Sequence, residues 1–438
     1  MISKNVIDHL RRKIGAQNVY HEREDLLVLG YDATPEIEGL PEVAVFPENR
    51  EGLEAALEVS RQEGLAVTPR GAATGLSGGS TPAAGGMILG LTRMNRILEI
   101  DEENLTATAE TGVITTQLFN AVAARGLFYP PDPASQNVST LGGNVAENAG
   151  GLRGLKYGVT RNYVMALSGQ LYDGTEFVAG NKCVKDVAGY SLRDLLVGSE
   201  GTLGIITEIT VRLINPPQDR RTLLAFFRDI RTAGEAVSKI IAARIIPATL
   251  EIMDRTTINC VEDFAGIGLP RDMEALLLIE ADGHPALVAE EVDGVLKVLK
   301  QVKAYEVRQA ANAEEDARLV YARRTSLSAL ARVSPTTILE DTTVPRSRLA
   351  ETFAEIERLK KKYGVLVATY GHAGDGNLHP TALTDERNQA ELEKVHAFFS
   401  DLYEKVLALG GTVSGEHGIG IAKKRFLLRQ LGQGGMDV

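Results

Sequence analysis

The pattern of apolar and polar positions predicts alternating strands and helices in the first part of the chain. An apolar run at 43–47 precedes the segment 50–64, in which Leu53, Ala56, Leu57 and Ser60 recur at a spacing near 3.6 residues. A second strand is predicted at 65–71, LAVTPRG, where the chain enters a glycine-rich segment. This order predicts a β-α-β unit. Further elements are expected beyond it, namely strands at 87–91, 106–110 and 205–213 and a helix at 116–126.

The pattern is interrupted at 214–221, INPPQDRR, and then begins again. Strands are predicted at 222–227, 248–253, 275–281 and 304–309, with helices at 232–244, 286–300 and 385–410. Strands and helices in this order indicate an antiparallel sheet covered by helices on one face. We therefore expect an α+β protein, with a first domain over 1–215 that opens with a short helical lead, and a second over 216–438.

Composition and charge exclude several classes of protein. A composition of 44% hydrophobic and 24% charged residues is typical of a chain that folds. The net charge of −11, without a basic stripe, argues against nucleic acid as a partner. No run of about 18 apolar residues is present for a spanning helix. Two cysteines, Cys183 and Cys260, cannot form a disulfide framework or an iron-sulfur centre. We expect a cytoplasmic protein, with peripheral membrane attachment through a partner left open.

Three segments rich in glycine and small polar residues lie within the first domain, at 69–82, 130–158 and 198–213. The first matches neither G-x-G-x-x-G nor a Walker A motif, but its glycines allow backbone N–H groups to converge on a pyrophosphate. A flexible surface loop is the alternative for this segment alone. The second is expected to be a long binding loop. Together the three favour an elongated, phosphate-bearing ligand.

The histidines of the stretch YGHAGDGNLHP, residues 370–380, flank an Asp-Gly turn. A two-residue type I′ turn at Asp375 and Gly376 would pair His372 with His379 on one sheet face, close enough to share a metal ion. SGEHGIG, residues 414–420, offers a carboxylate and another histidine. These groups suit a catalytic divalent site with open positions. The alternative is that each histidine is an ordinary residue, as we expect for His9, His21, His284 and His396.

The three glycine-rich segments, RGAATGLSGG, PPDPASQNVSTLGGNVAENAGG and GSEGTLGIITEITVRL, resemble the FAD-binding domain of the vanillyl-alcohol oxidase flavoprotein superfamily. Within it the chain is similar to the D-lactate dehydrogenase and glycolate oxidase catalytic-subunit family. The resemblance implies a two-part FAD-binding domain. It also implies non-covalent FAD, because residues 69–82 contain no histidine. The cofactor-binding residues that it implies are Arg70, Gly71, Thr74, Gly75, Ser77, Gly78, Ser139, Gly143, Asn144, Gly150, Tyr157, Gly158, Glu200 and Ile205.

GHAGDGNLH and GEHGIG resemble the metal motifs of the same family. The resemblance implies His372, His379 and Glu416 as ligands of a divalent metal, zinc or manganese, and His417 as the catalytic base. The segment EEDARLVYARRTSL is similar to the one whose arginine binds the substrate carboxylate. That arginine aligns with Arg323, with the adjacent Arg324 as the alternative.

The chain also departs from the family. Some members have a lysine at the position of Leu339, so a dicarboxylic acid such as 2-hydroxyglutarate is expected to bind less well. Family members also usually continue past the position of the terminal GGMDV, into a segment with Asp-Pro and Asn-Pro-Gly-Lys.

The resemblance implies a flavin-dependent oxidation of a small D-2-hydroxy acid, D-lactate or glycolate, to the 2-oxo acid. Electrons would leave through a separate acceptor, such as an iron-sulfur subunit, an electron-transferring flavoprotein or a quinone. Two alternatives stay open at this point. One is a metal-dependent hydrolase that uses the same histidines, and the other is a non-catalytic flavin-binding subunit of a dehydrogenase complex.

Overall fold

The computed structural model describes residues 2–438. Within these residues the helices are α1 (Lys4–Ile14), α2 (Arg23–Leu27), α3 (Arg50–Glu63), α4 (Thr115–Ala123), α5 (Leu141–Glu147), α6 (Gly154–Tyr157), α7 (Leu192–Leu196), α8 (Ile230–Ala242), α9 (Arg255–Ala265), α10 (Pro285–Gln301), α11 (Ala313–Arg324), α12 (Ser326–Leu330), α13 (Leu349–Tyr363), α14 (Gln389–Ala408) and α15 (Lys424–Asp437).

The strands of the same residues form three sheets. They are β1 (Val19–Tyr20), β2 (Val43–Val45), β3 (Val67–Arg70), β4 (Met87–Gly90), β5 (Ile97–Asp101), β6 (Thr106–Glu110), β7 (Val164–Gln170), β8 (Glu176–Gly180), β9 (Ile205–Arg212), β10 (Asp219–Phe227), β11 (Thr249–Asp254), β12 (Ala275–Gly283), β13 (Glu306–Gln309), β14 (Thr336–Leu339), β15 (Thr342–Thr343), β16 (Val367–His372) and β17 (Asn377–Thr384).

The chain forms two compact units that are not continuous in sequence. The first contains the chain up to Gly150, Val159–Pro216 and Glu416–Lys424. The second contains Gly151–Gly158, Pro217–Gly415 and Arg425–Val438. The predicted domains, 1–215 and 216–438, are each continuous in sequence. In the structure, residues 151–158 cluster with the second unit and residues 416–424 cluster with the first.

The first unit contains the predicted β-α-β arrangement. Strands β2, β4 and β3 are parallel neighbours in a sheet of order β1-β2-β4-β3, and α3 connects β2 to β3. The side chain of Asn49 caps α3 by accepting from Gly52 N, and Gly64 ends the helix in a left-handed conformation. Leu53, Ala56 and Leu57 are buried against the sheet, so this prediction is confirmed. A second, antiparallel sheet has the order β5-β6-β9-β7-β8.

The prediction of a long loop over 130–158 was wrong in part, because α5 and α6 lie within this segment. The glycines of α5 give it a low intrinsic helix propensity. The helix nevertheless forms, since the side chain of Thr140 accepts from Gly143 N at 3.1 Å and Leu141 and Val145 are fully buried.

The second unit contains an antiparallel sheet of eight strands in the order β13-β10-β12-β11-β16-β17-β14, with β15 also paired to β17. Helices α10, α8, α13 and α14 pack on one another in that order and form a helical layer. In α14, Leu392, Val395, Phe399, Leu402 and Val406 are buried, as its apolar spacing predicted. Cross-strand partners share a sheet face. The register therefore places Arg220 with Asp282, and Thr222 and Thr249 with Glu280, on a face that we call the polar face.

Candidate active site

The polar face includes Glu251 on β11, two residues from Thr249, and the two histidines of the β16–β17 hairpin. Glu251, His372 and His379 are 1%, 7% and 3% exposed, so this cluster is almost fully removed from solvent. Charged and titratable groups are rarely buried in this way without partners. Their contacts therefore indicate a site rather than a solvated surface.

One carboxylate connects two of the predicted functional residues. Glu251 Oε1 lies 2.7 Å from His372 Nδ1, and Glu251 Oε2 lies 2.5 Å from Arg323 Nη2. Burial alone would raise the pKa of Glu251, but the adjacent His372 and Arg323 outweigh it and lower the pKa below its usual value. Glu251 is therefore an anion that holds both side chains.

Arg323 lies at the C-terminal end of α11. Asn312 directly precedes the helix and caps it, because its side chain accepts from Glu314 N and Glu315 N, and acidic residues fill the first turn. Arginines in the last turn complement the helix dipole. Arg323 is 3% exposed and its guanidinium lies 4.8 Å from the centre of the Tyr370 ring. A solvated helix charge is thus excluded for Arg323, whereas Arg324 is only half-buried.

The second histidine has a carboxylate neighbour of its own. His379 Nδ1 lies 3.8 Å from Asp341 Oδ1, and Asp341 is fully buried. Asp341 Oδ1 accepts from the side chain of Asn377, and Asp341 Oδ2 accepts from Ser414 Oγ at 2.8 Å and from Gly415 N at 2.7 Å. Asp341 therefore fixes the chain immediately before Glu416.

The two imidazoles meet, but not in the predicted register. Their ring centres are 5.1 Å apart, and a nitrogen of each ring lies within 4.8 Å of the other. In the hairpin His372 pairs with Asn377 and Tyr370 pairs with His379, so the direct His372–His379 pairing was wrong. The turn has four residues, Ala373–Gly376, because Gly374 N donates to Leu250 O of β11 instead of joining the hairpin ladder. A shift of two residues keeps both rings on one face.

The first unit carries most of the glycine-rich residues that were predicted to bind a cofactor. A Cβ on Gly71 would lie 2.5 Å from Thr140 Oγ1, so the first and second glycine-rich segments meet where only glycine fits. Ser77 is fully buried and, among the described residues, its hydroxyl has no hydrogen-bond partner. Asn144 donates to Thr115 Oγ1, which also contacts Ser139 Oγ. Buried glycine-rich backbone with an unsatisfied hydroxyl fits a polar cofactor.

Gln170 could not be selected from the sequence pattern, and it lies opposite Ile205 in the β7–β9 pairing. Gln170 is 1% exposed, and within residues 2–438 neither atom of its side-chain amide has a partner. An unsatisfied buried amide beside a predicted cofactor residue also fits a polar ligand. Glu251 was missed in the same way, although an acidic residue inside the apolar strand ATLEIM is a signal that could have found it.

Two predicted cofactor residues, Tyr157 and Gly158, cluster with the second unit. The hydroxyl of Tyr157 donates to Asp282 Oδ2 at 2.7 Å, and Lys156 Nζ lies 2.7 Å from Asp282 Oδ1. These contacts attach the segment 151–158 to the polar face.

Glu200 contacts the segment that carries His417. Its two carboxylate oxygens accept from Ile419 N at 2.7 Å and Gly420 N at 2.6 Å, all within the first unit. Glu200 has a φ of +53°, a left-handed conformation that side chains rarely adopt. Its neighbour Glu147 has a pKa raised to about 8, chiefly by burial and then by Glu200 and Asp32. In the same unit Gly150 adjoins Glu416, whose carboxylate a Cβ would contact.

Comparison with known proteins agrees with both halves of this description. Residues 41–180 match the family described as FAD binding domain, and residues 216–438 match FAD linked oxidases, C-terminal domain. The chain belongs to the FAD-linked oxidase family. Glycolate oxidase subunit GlcD of Bacillus subtilis is 48% identical over 437 residues, covering 100% of this chain and 93% of that protein. D-lactate dehydrogenase of Anaerostipes hadrus is 36% identical, covering 90% of this chain and 84% of that protein.

The structure of p-cresol methylhydroxylase with substrate bound has a TM-score of 0.79 to this FAD-linked oxidase, with 17% identity and coverage of 98% and 91%. This likeness shows the fold and confirms the predicted fold class, an FAD-binding domain of the vanillyl-alcohol oxidase type with an antiparallel C-terminal sheet. The protein is an FAD-dependent oxidoreductase, as the resemblance implied. Among residues 2–438, none of the helices combines the length and apolar character needed to span a bilayer.

Proposed function

We propose that this protein oxidises a small D-2-hydroxy acid, D-lactate or glycolate, to the 2-oxo acid. The observation that carries the proposal is the buried set of Arg323, Glu251, His372 and His379 on one sheet face. The names of the relatives, glycolate oxidase subunit and D-lactate dehydrogenase, support the same substrate class. The family assignment leaves no support for a metal-dependent hydrolase.

Arg323 would bind the substrate carboxylate. Glu251 and the ring of Tyr370 hold its guanidinium, and among the described residues its buried Nε has no hydrogen-bond partner. A guanidinium has five N–H donors in a planar fork that matches a carboxylate. An arginine with one edge anchored and another donor unsatisfied is therefore suited to a bidentate carboxylate contact.

His372 and His379 would hold a divalent metal, zinc or manganese. Glu251 engages His372 Nδ1, so Nε2 is the nitrogen that would act as ligand, the usual arrangement for a carboxylate, a histidine and a metal. Two imidazoles and one carboxylate suit these ions. Glu416 would supply the carboxylate. It directly follows Gly415, which is held by Asp341 beside His379.

FAD bound without a covalent link would supply the hydride acceptor, and a metal held by the two histidines would supply a Lewis acid that lowers the pKa of the substrate hydroxyl. His417 would take the hydroxyl proton. Glu200 supports this role, because it holds the backbone two and three residues after His417. Electrons would leave through a separate acceptor, an iron-sulfur subunit, an electron-transferring flavoprotein or a quinone. The word subunit in the name of the Bacillus subtilis relative supports a protein partner.

Leu339 favours a substrate with one carboxylate. It pairs with Thr381 across β14 and β17, on the same sheet face as His379, and is 9% exposed. A second carboxylate beside this apolar side chain would lose its hydration without gaining a charged partner. We therefore expect D-lactate and glycolate to be preferred over D-2-hydroxyglutarate.

The test is the anaerobic absorption spectrum of the purified protein before and after each hydroxy acid. We expect a flavin spectrum that D-lactate or glycolate bleaches, that L-lactate leaves unchanged, and that is no longer bleached after metal removal. A flavin that no hydroxy acid reduces would overturn the proposal in favour of a non-catalytic flavin-binding subunit. Bleaching that survives complete removal of metal would remove the metal from the mechanism.

A further inference from the structure

We propose that Glu251 is a positioning residue shared by the metal site and the carboxylate site, so that one buried side chain orients both. This inference rests on the proposed function. The two carboxylate oxygens are divided between the two partners, with Oε1 2.7 Å from His372 Nδ1 and Oε2 2.5 Å from Arg323 Nη2. The side chain of Glu251 is 1% exposed, so solvent water does not reach it to replace either partner.

The contact with His372 selects the tautomer of the imidazole. A carboxylate only accepts hydrogen bonds, so His372 Nδ1 must carry the proton that it donates to Glu251. In the neutral imidazole this leaves Nε2 without a proton, as a metal ligand requires, and the hydrogen bond to Glu251 increases the basicity of Nε2.

The contact with Arg323 fixes the direction of the guanidinium. Arg323 would otherwise have several rotamers, and Glu251 together with the Tyr370 ring restricts them before a substrate arrives. A binding group that is already ordered loses less entropy when the substrate binds. Glu251 therefore makes metal affinity and substrate affinity depend on the same carboxylate.

The variant Glu251→Gln separates these effects, because an amide has one acceptor oxygen and one donor nitrogen. Arg323 can only donate, so the amide oxygen stays with it and the amide N–H₂ faces His372. His372 Nδ1 must then accept, which moves the ring proton to Nε2 and opposes metal binding. The matched control is Glu280→Gln, which replaces another buried acid of the polar face that pairs with Thr222 and Thr249.

Metal affinity is measured by titrating the metal-free, FAD-loaded protein with Mn²⁺ or Zn²⁺, and KM for D-lactate is measured at saturating metal. For Glu251→Gln we expect metal affinity to fall about 10–100-fold. We expect KM to rise about fivefold, because the ion pair that orients Arg323 is replaced by a weaker contact between the guanidinium and a neutral amide. FAD content should not change, and Glu280→Gln should match the wild type in both constants.

An unchanged metal affinity or an unchanged KM in Glu251→Gln overturns the shared role. Equal losses in Glu280→Gln also overturn it, since the effect would then follow from altering any buried acid of this face. If Glu251→Gln does not fold, Glu251→Asp serves instead. Its shorter side chain keeps the charge but cannot reach both partners. Wild-type metal affinity and wild-type KM in Glu251→Asp would again overturn the inference. A wild-type protein that binds no metal, or whose flavin no hydroxy acid reduces, is a failure of the proposed function.

Discussion

Three buried carboxylates of the second unit, those of Glu251, Asp282 and Asp341, each contact a different set of donor groups. Glu251 contacts an imidazole and a guanidinium, Asp282 contacts Lys156 and the hydroxyl of Tyr157, and Asp341 contacts an amide, a hydroxyl and a backbone N–H. A buried charge is tolerated when it is paired and its remaining lone pairs are satisfied. The partners therefore explain how these three acids can be buried, and they make the position of each side chain definite.

Arg323 is the residue proposed to bind the substrate carboxylate. Arg323→Lys keeps the positive charge beside Glu251 but removes the planar fork, so it should raise KM for D-lactate about 10-fold or more with a smaller change in kcat. Arg324→Lys is the matched control, because Arg324 is adjacent but only half-buried. Steady-state kinetics with both variants check the assignment. A raised KM in Arg324→Lys, with Arg323→Lys unaffected, would transfer the carboxylate to Arg324.

The second prediction concerns Glu280, whose pKa is raised from 4.5 to about 7, mainly by burial and despite the nearby Arg220. Between these two pH values the folded protein keeps a proton that the unfolded chain releases. The contribution of Glu280 to stability therefore falls as pH rises through this window and is constant above it. Glu280→Gln does not titrate. Its Tm relative to the wild type should be higher at pH 8 than at pH 5.

Thermal unfolding at the two pH values measures this difference. Glu290→Gln, a substitution of an exposed acid on α10, is the control and should show no such trend. A relative Tm for Glu280→Gln that is the same at both pH values would show that burial does not hold a proton on Glu280.

At the scale of elements, local patterns predicted the helices and strands well, but long-range contacts decided the details of the site. The apolar spacing of α3 and α14 is visible in the sequence, and both helices are present. The hairpin register was not predictable from Asp-Gly alone, because Gly374 N bonds to Leu250 O, 124 residues earlier in the chain. Likewise α5 depends on a cap and on burial that its glycine-rich sequence does not reveal.

The glycine-rich segment at 69–82 gives a prediction at this scale. The nearest atoms to a Cβ on Gly75 would be carboxylate oxygens of Asp32 and Glu147, both at 3.9 Å, so the protein itself has room for a methyl group. If the backbone here approaches the FAD pyrophosphate, Gly75→Ala should weaken FAD binding about 10-fold or more while the Tm of the apoprotein stays the same.

Flavin fluorescence titration of the apoprotein measures this affinity. Gly434→Ala is the control, since the space around Gly434 in α15 is open and it lies in the second unit. Wild-type FAD affinity in Gly75→Ala would mean that this segment does not approach the cofactor. The segment would then be interpreted as a flexible surface loop.

At the scale of the whole molecule, the residues proposed for the flavin and for the metal fall mainly in different units. The glycine-rich segments 69–82 and 198–213 belong to the first unit, and His372 and His379 to the second. The first unit has two sheets and the second has one, and each unit has an apolar core of its own. Compact units with separate cores can keep their structure when a ligand of the other is lost. The two cofactors should therefore be separable by experiment.

His372→Ala tests this separation. It removes a proposed metal ligand and leaves the glycine-rich segments unaltered, so the purified variant should keep its FAD, lose bound metal, and no longer be reduced by D-lactate. His396→Ala is the control, a half-buried histidine on α14 that was given no role in the site. Metal analysis, the flavin spectrum and anaerobic reduction are measured on the same samples. Loss of FAD together with metal would contradict separate sites, whereas full metal content in His372→Ala would remove His372 from the ligand set.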